Sequence, residues 1–184
     1  MNIKLYSVFI FLIVLGIVTS LGLPPLNLVL INFLIYSLFF LFLVKKAVVI
    51  KNKKVLFSYG WLFGFGYFVS NIYWISISLT FDQSFKSLIP LTIFLIPSFL
   101  AIFYGLVSYI FIIFKPEKIV SSFLIFSLTF GISEFIRGSI LTGFPWNLIA
   151  YSFSNHLEIL SITSIIGTYA FNLFCISLFT SPAI

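Results

Sequence analysis

A chain of 184 residues with 61% hydrophobic and only 8% charged residues, and a mean hydropathy of +1.24, has too few polar side chains to cover a water-soluble domain. It reads as an all-α integral membrane protein, a bundle of about six transmembrane helices forming one domain over 1–184. The formal net charge of +6 does not point to nucleic acid, because Lys45, Lys46, Lys51, Lys53 and Lys54 sit between two apolar runs with no groove-reading motif beside them.

Residues 5–23 form a first apolar run of about membrane-crossing length behind Lys4. Val18-Thr19-Ser20 loosely fits a signal-peptide cleavage site, but nothing soluble follows, so a retained span is the preferred reading. Pro24-Pro25 cannot continue a helix, and 26–44 make a second run that ends at Lys45-Lys46. The basic 45–54 loop is expected on the cytoplasmic side, which puts Met1 there too. Residues 55–79 form the third expected span. Gly60 and Gly64 have the G-x-x-x-G spacing that lets a neighbouring helix approach closely. Trp61 and Trp74 would stand about 20 Å apart on an ideal helix, suited to the two interfaces, and Asn71 is the strongly polar side chain of that run.

A short outer loop, TFDQSFKS at 80–87, leads into a span over 88–114, where Pro97 is expected to kink the helix. KPEK at 115–118 is a second inner turn, and 119–136 cross outward again. The sixth expected span is 157–180. Its Ser161, Ser164, Thr168, Asn172 and Cys175 recur every three or four residues, so on one continuous helix they make a polar stripe that should face other helices or a cavity. Ser181-Pro182-Ala183-Ile184 would then end on the cytoplasmic side.

Most of the polar chemistry lies in 131–156. Glu134 and Arg137 are one helical turn apart and can pair where the fifth span ends. Gly138, Gly143 and Pro145 then break the helix, and Trp146 and Tyr151 follow, so 138–156 reads as an interfacial or re-entrant loop. The plain reading of Glu134 and Arg137 is an ion pair anchoring a helix end. The sharper one has Arg137 holding a phospholipid phosphate in its bidentate fork while Glu134 orients it. Phe144-Pro145-Trp146 reads on its residues as an aromatic belt with a turn. The lone His156 has no ligand partner at metal spacing, and the single Cys175 excludes an internal disulfide, so no metal or other cofactor is expected.

SEFIRGSILTGFPWNLIAYS and, earlier, GWLFGFGYFVSNIYWI together resemble two segments of the apolipoprotein N-acyltransferases, in the same order. The resemblance covers the N-terminal membrane portion of that family. It implies a platform in the bacterial inner membrane for an enzyme that moves an acyl chain from phospholipid to the N-terminal amine of a diacylglyceryl-cysteine lipoprotein. Carried over by position, Gly143, Phe144, Pro145, Trp146 and Tyr151 become lipid-contact candidates beside Glu134 and Arg137, with Asn71, Trp74 and Trp61 weaker ones. The family's catalytic Glu, Lys and Cys lie in an external nitrilase-like domain that these residues do not contain. Cys175 has no charged neighbour on its own helix and is not expected to act as a nucleophile. The chain is therefore expected to be truncated or split, inactive alone, and a possible partner of a separate hydrolase-like chain. A small transporter or channel subunit, using the sixth-span stripe and Asn71, is the alternative.

Overall fold

The computed structural model describes residues 3–50, 52–114, 117–140 and 143–184. Met1, Lys51, Lys115-Pro116 of the second basic turn and Thr142 of the loop motif lie outside the described residues. The described residues are helices and their connections, as an all-α membrane protein requires: with no water in the hydrocarbon, backbone N–H and C=O groups must pair within each segment. In chain order the helices are α1 (Ile3–Ser20), α2 (Val29–Val49), α3 (Lys53–Ile72), α4 (Trp74–Ser78), α5 (Ile89–Phe114), α6 (Ile119–Ser139), α7 (Leu157–Leu160), α8 (Thr163–Ile166) and α9 (Thr168–Thr180). Four stretches are long and apolar enough to cross a membrane: α2, α3, α6, and Gln83–Phe114, in which a 3-10 turn runs into α5. Tyr6–Ser20 and Leu157–Ile166 are shorter apolar helices.

The helices close a ring. α1 packs on α3, α3 on α5, α5 on α6, α6 on α9, α9 on α2, and α2 returns to α1. Glycines allow the tightest of these approaches: a Cβ at Gly66 would run into the Ile13 carbonyl of α1, and one at Gly60 into the Tyr104 carbonyl of α5. Aromatic rings fill the centre. Phe39 of α2 and Phe63 of α3 stack at 4.1 Å, and Tyr104 of α5 meets Phe130 of α6 edge-on at 4.7 Å. Rigid rings with few torsions lose little entropy on ordering and gain dense dispersion contact.

Several elements depart from the continuous runs that hydropathy suggests. α2 begins only at Val29, because Asn27 is left-handed (φ 50°) and the chain of 21–28 folds back on itself through Leu28 N–H to Leu21 C=O. It then runs past Lys45 and Lys46 to Val49, since lysine is a good helix former whatever its charge. The expected 55–79 span is a helix to Ile72, a junction at Tyr73, and the separate α4. Pro97 sits inside α5, and the indole of Trp61 donates to the carbonyl of the next residue, Ser98, at 3.0 Å. The largest departure is at 157–180, where α7, α8 and α9 replace one helix and Gly167 takes φ +84°. A residue with a Cβ avoids that backbone region, so glycine permits the break here. The Ser161-to-Cys175 stripe is consequently not one face: Ser161 and Ser164 are exposed, while Asn172 and Cys175 are buried in α9.

Candidate functional site

At its C-terminal end, α6 runs on to Ser139 before the chain turns. Both ionic residues of its last turns are inside. Glu134 is 3% and Arg137 2% exposed, and a charge so placed must find partners for every polar atom. Arg137 does so completely. Its Nε donates to the Glu134 carboxylate at 3.1 Å and one terminal nitrogen pairs with the same oxygen. The other terminal nitrogen donates to the carbonyl of Phe144 at 2.6 Å, and both reach the carbonyl of Trp146 at 3.2 Å. The rings of Phe68 and Phe144 lie 5.2 and 5.9 Å from its guanidinium carbon, close enough for cation–π attraction.

The loop this arginine holds is shaped by two left-handed residues, Gly143 (φ 70°) and Asn147 (φ 59°). The amide of Gly143 donates to Ile140 at 2.8 Å and that of Phe144 returns to the Arg137 carbonyl at 3.1 Å, which folds 143–146 back over the end of α6. Carbonyls point in and the Trp146 ring points out, 57% exposed. Further fastenings come from other helices. The Tyr67 hydroxyl of α3 donates to the Asn147 carbonyl at 2.5 Å. The 3-10 turn Ile149–Phe153 is held from both sides: Asn172 of α9 accepts from the Ala150 amide at 3.0 Å, and Asn32 of α2 donates to the Ser152 hydroxyl at 2.9 Å. Ser154 donates to Asn27 at 3.1 Å.

Beside this loop lies an open cleft of about 700 Å³. Its walls are the α1–α2 turn, the end of α3 with α4, and the loop itself; Asn71, Trp74, Trp146 and Tyr151 all line it, with Tyr73 and Asn147 between them. The Trp74 and Trp146 rings meet edge to face at 6.4 Å across the cleft mouth. Among the described residues no charged side chain lines it. The cleft therefore offers aromatic faces and amide or hydroxyl groups, a surface suited to apolar and neutral polar parts of a ligand.

Of the sequence-derived candidates, the structure brings Asn71, Trp74, Trp146 and Tyr151 together at the cleft. Gly143, Phe144 and Pro145 form the turn beside it, and Glu134 with Arg137 stands behind that turn. A free guanidinium fork for phosphate is not what Arg137 presents, since all five of its N–H groups are spent inside the protein. Trp61 stacks on Phe65 at 5.3 Å and does not line the cleft. Cys175 is fully buried. Among the described residues no group of three His, Cys, Asp or Glu is placed to hold a metal. Sequence reasoning did not single out Tyr67 or Asn32. An amide inside an apolar run was the available signal for Asn32; a tyrosine in an aromatic-rich run carries none.

The N-terminal domain of apolipoprotein N-acyltransferase matches residues 15–179 of this chain. Among curated relatives, an apolipoprotein N-acyltransferase of Rickettsia prowazekii is 35% identical over 182 residues, covering 96% of this chain and 34% of its own length. That of Rhodopseudomonas palustris is 39% identical over 127 residues, covering 68% of this chain and 23% of its own length. That of Brucella melitensis is 35% identical over 126 residues, covering 68% and 24% respectively. The chain thus spans about a quarter to a third of the length of these relatives. With the match running through both the α3 segment and the loop after α6, the chain belongs to the apolipoprotein N-acyltransferase family, over that family's N-terminal membrane domain.

Proposed function

We propose that this chain is the membrane platform of a lipoprotein N-acyltransferase and that its outer cleft contacts the phospholipid from which the acyl chain is taken. One observation carries the reading: Asn71 and Trp74, from the first family-like segment, and Trp146 and Tyr151, from the second, line one cleft although about seventy residues separate them in sequence. The four contact lipid directly. Gly143, Phe144 and Pro145 shape the loop wall, with Glu134 and Arg137 behind it. The acceptor is the N-terminal amine of a diacylglyceryl-cysteine lipoprotein, and the covalent chemistry belongs to a hydrolase-like Glu/Lys/Cys unit outside these 184 residues. The buried, unaccompanied Cys175 favours that division, because thioester chemistry needs an accessible thiolate next to a base.

In this reading the chain crosses a bacterial inner membrane six times. Met1, the 45–54 and 115–118 connections and Ile184 are cytoplasmic, and 80–87 and 138–156 face outward. The lysine distribution supports the orientation, with seven of ten basic residues in or beside the two inner connections. Photoactivatable phospholipid, labelled near the headgroup and cross-linked to a full-length relative, tests the cleft. Adducts should concentrate in the segments matching 70–77 and 143–154, and Trp74→Ala and Trp146→Ala should reduce both labelling and acyl transfer at unchanged membrane abundance. Labelling spread evenly over the lipid-facing helices, with transfer at the wild-type rate in both variants, would sink the reading.

A further inference from the structure

We propose that Arg137 is a positioning residue for the outer cleft: held by Glu134, its guanidinium fixes the main chain at Phe144 and Trp146 and so sets where the Trp146 wall stands, with Tyr67 as a second fastening at Asn147. Only the link to lipid use rests on the proposed function; the clasp stands on geometry alone. A turn through two left-handed residues has little secondary structure of its own to stabilise it. Its inward carbonyls, removed from water, need donors. Arg137 supplies them in one plane from a fork that stays protonated at any physiological pH, and Glu134 offsets its charge. The Tyr67 hydroxyl takes the next carbonyl along the chain, so the fastenings fall on Phe144, Trp146 and Asn147 in succession and leave the rings of Trp146 and Trp74 outside.

Arg137→Lys separates this role from simple charge pairing. An ammonium can stay beside Glu134, but it is a point donor on a flexible stem and cannot reach two carbonyls in one plane. Losing two charge-assisted bonds should open the loop about a hundredfold more often, while losing the single neutral bond in Tyr67→Phe should do so about fivefold. Hydrogen–deuterium exchange of this chain in phosphatidylglycerol/phosphatidylcholine nanodiscs reads both. Amides of 143–147 should speed up in Arg137→Lys and, less, in Tyr67→Phe, with those of α3 and α5 unchanged. Unchanged loop exchange in both variants, or equal acceleration throughout the bundle, overturns the clasp. The matching arginine-to-lysine change in a full-length relative should raise the KM for phospholipid several-fold more than it lowers kcat. If the loop opens as expected and that KM does not move, the clasp holds and the lipid reading of the cleft fails, so the two ideas are refuted by different results.

Discussion

Two glycines on one helix pair give opposite expectations for the same substitution. Gly60 of α3 faces the backbone of α5: a Cβ there would collide with the Tyr104 carbonyl oxygen and lie 2.8 Å from its carbon. Gly105 of α5 faces α3 as well, but its Cβ would meet the ring tip of Phe57 at 2.6 Å. Phe57 is half-buried and borders an open groove of about 410 Å³ into which a ring can swing. Alanine in place of glycine in a helix gains about 1 kcal/mol in propensity, and forcing an extra carbon against immovable backbone costs about 1–3 kcal/mol. A carbonyl cannot rotate away without breaking its helix, so the upper part of that range applies to Gly60→Ala and the net loss is about 1–2 kcal/mol. For Gly105→Ala the two contributions nearly cancel, leaving a change within about 0.5 kcal/mol of zero. Titration from mild detergent into dodecyl sulfate, followed by circular dichroism, would rank the variants. Equal losses, or a Gly60→Ala protein as stable as the parent, would refute the reasoning that contact with backbone rather than contact distance decides the cost.

Reporter-enzyme fusions after Asn52 and after Lys118 should be active only in the cytoplasm, and external activity at either position would reverse the proposed orientation. The purified 184 residues should transfer no acyl group from phospholipid to a lipopeptide amine; transfer abolished by Cys175→Ala would show that the buried thiol had been misjudged. Asn172→Leu removes the acceptor that holds the Ala150 amide and should cost about 1–3 kcal/mol, since that donor stays buried, with thermal stability falling and exchange rising at 149–153. In the exposed turn before α5, hydrogen bonds from the Ser84 hydroxyl and amide hold the Asp82 carboxyl below the usual aspartate range. A depressed folded-state pKa stabilises above the unfolded value and stops doing so as pH falls through the folded one. The turn at Gln83–Leu88 should therefore loosen only in acid, below the ordinary aspartate range, and Asp82→Asn should abolish that pH dependence while keeping the cap.

Hydropathy made the membrane class legible, because it reflects transfer energies that add along the chain. The Glu134/Arg137 pair was legible from a spacing of three. What Arg137 does with its remaining N–H groups was not, since its partners are main-chain carbonyls and every residue type has one. The break at Gly167 left no trace in hydropathy either: Thr163 to Thr168 are no more polar than segments that stay helical, and only the backbone angle distinguishes this glycine. Asn71 and Tyr151 share a cleft because the end of α3 and the loop after α6 both border the α1–α2 turn there. That depends on where chain reversals fall, which periodicity does not encode.

The shortness of α9 has a mechanical consequence for the lipid around it. Thirteen helical residues rise about 20 Å, whereas the hydrocarbon slab is about 30 Å thick. Two places round the ring, beyond α6, α5 has 26 residues, about 39 Å. Lipids bordering the two flanks thus meet apolar walls of very different height, and a bilayer that fits one is mismatched to the other. Matching it costs fractions of a kcal/mol per Å, shared between thinning of the lipid and tilt of the protein. A change in acyl-chain length across the whole membrane would therefore act on this molecule as a torque, and the 3-10 turn clamped between Asn32 and Asn172 sits close to where that torque is felt.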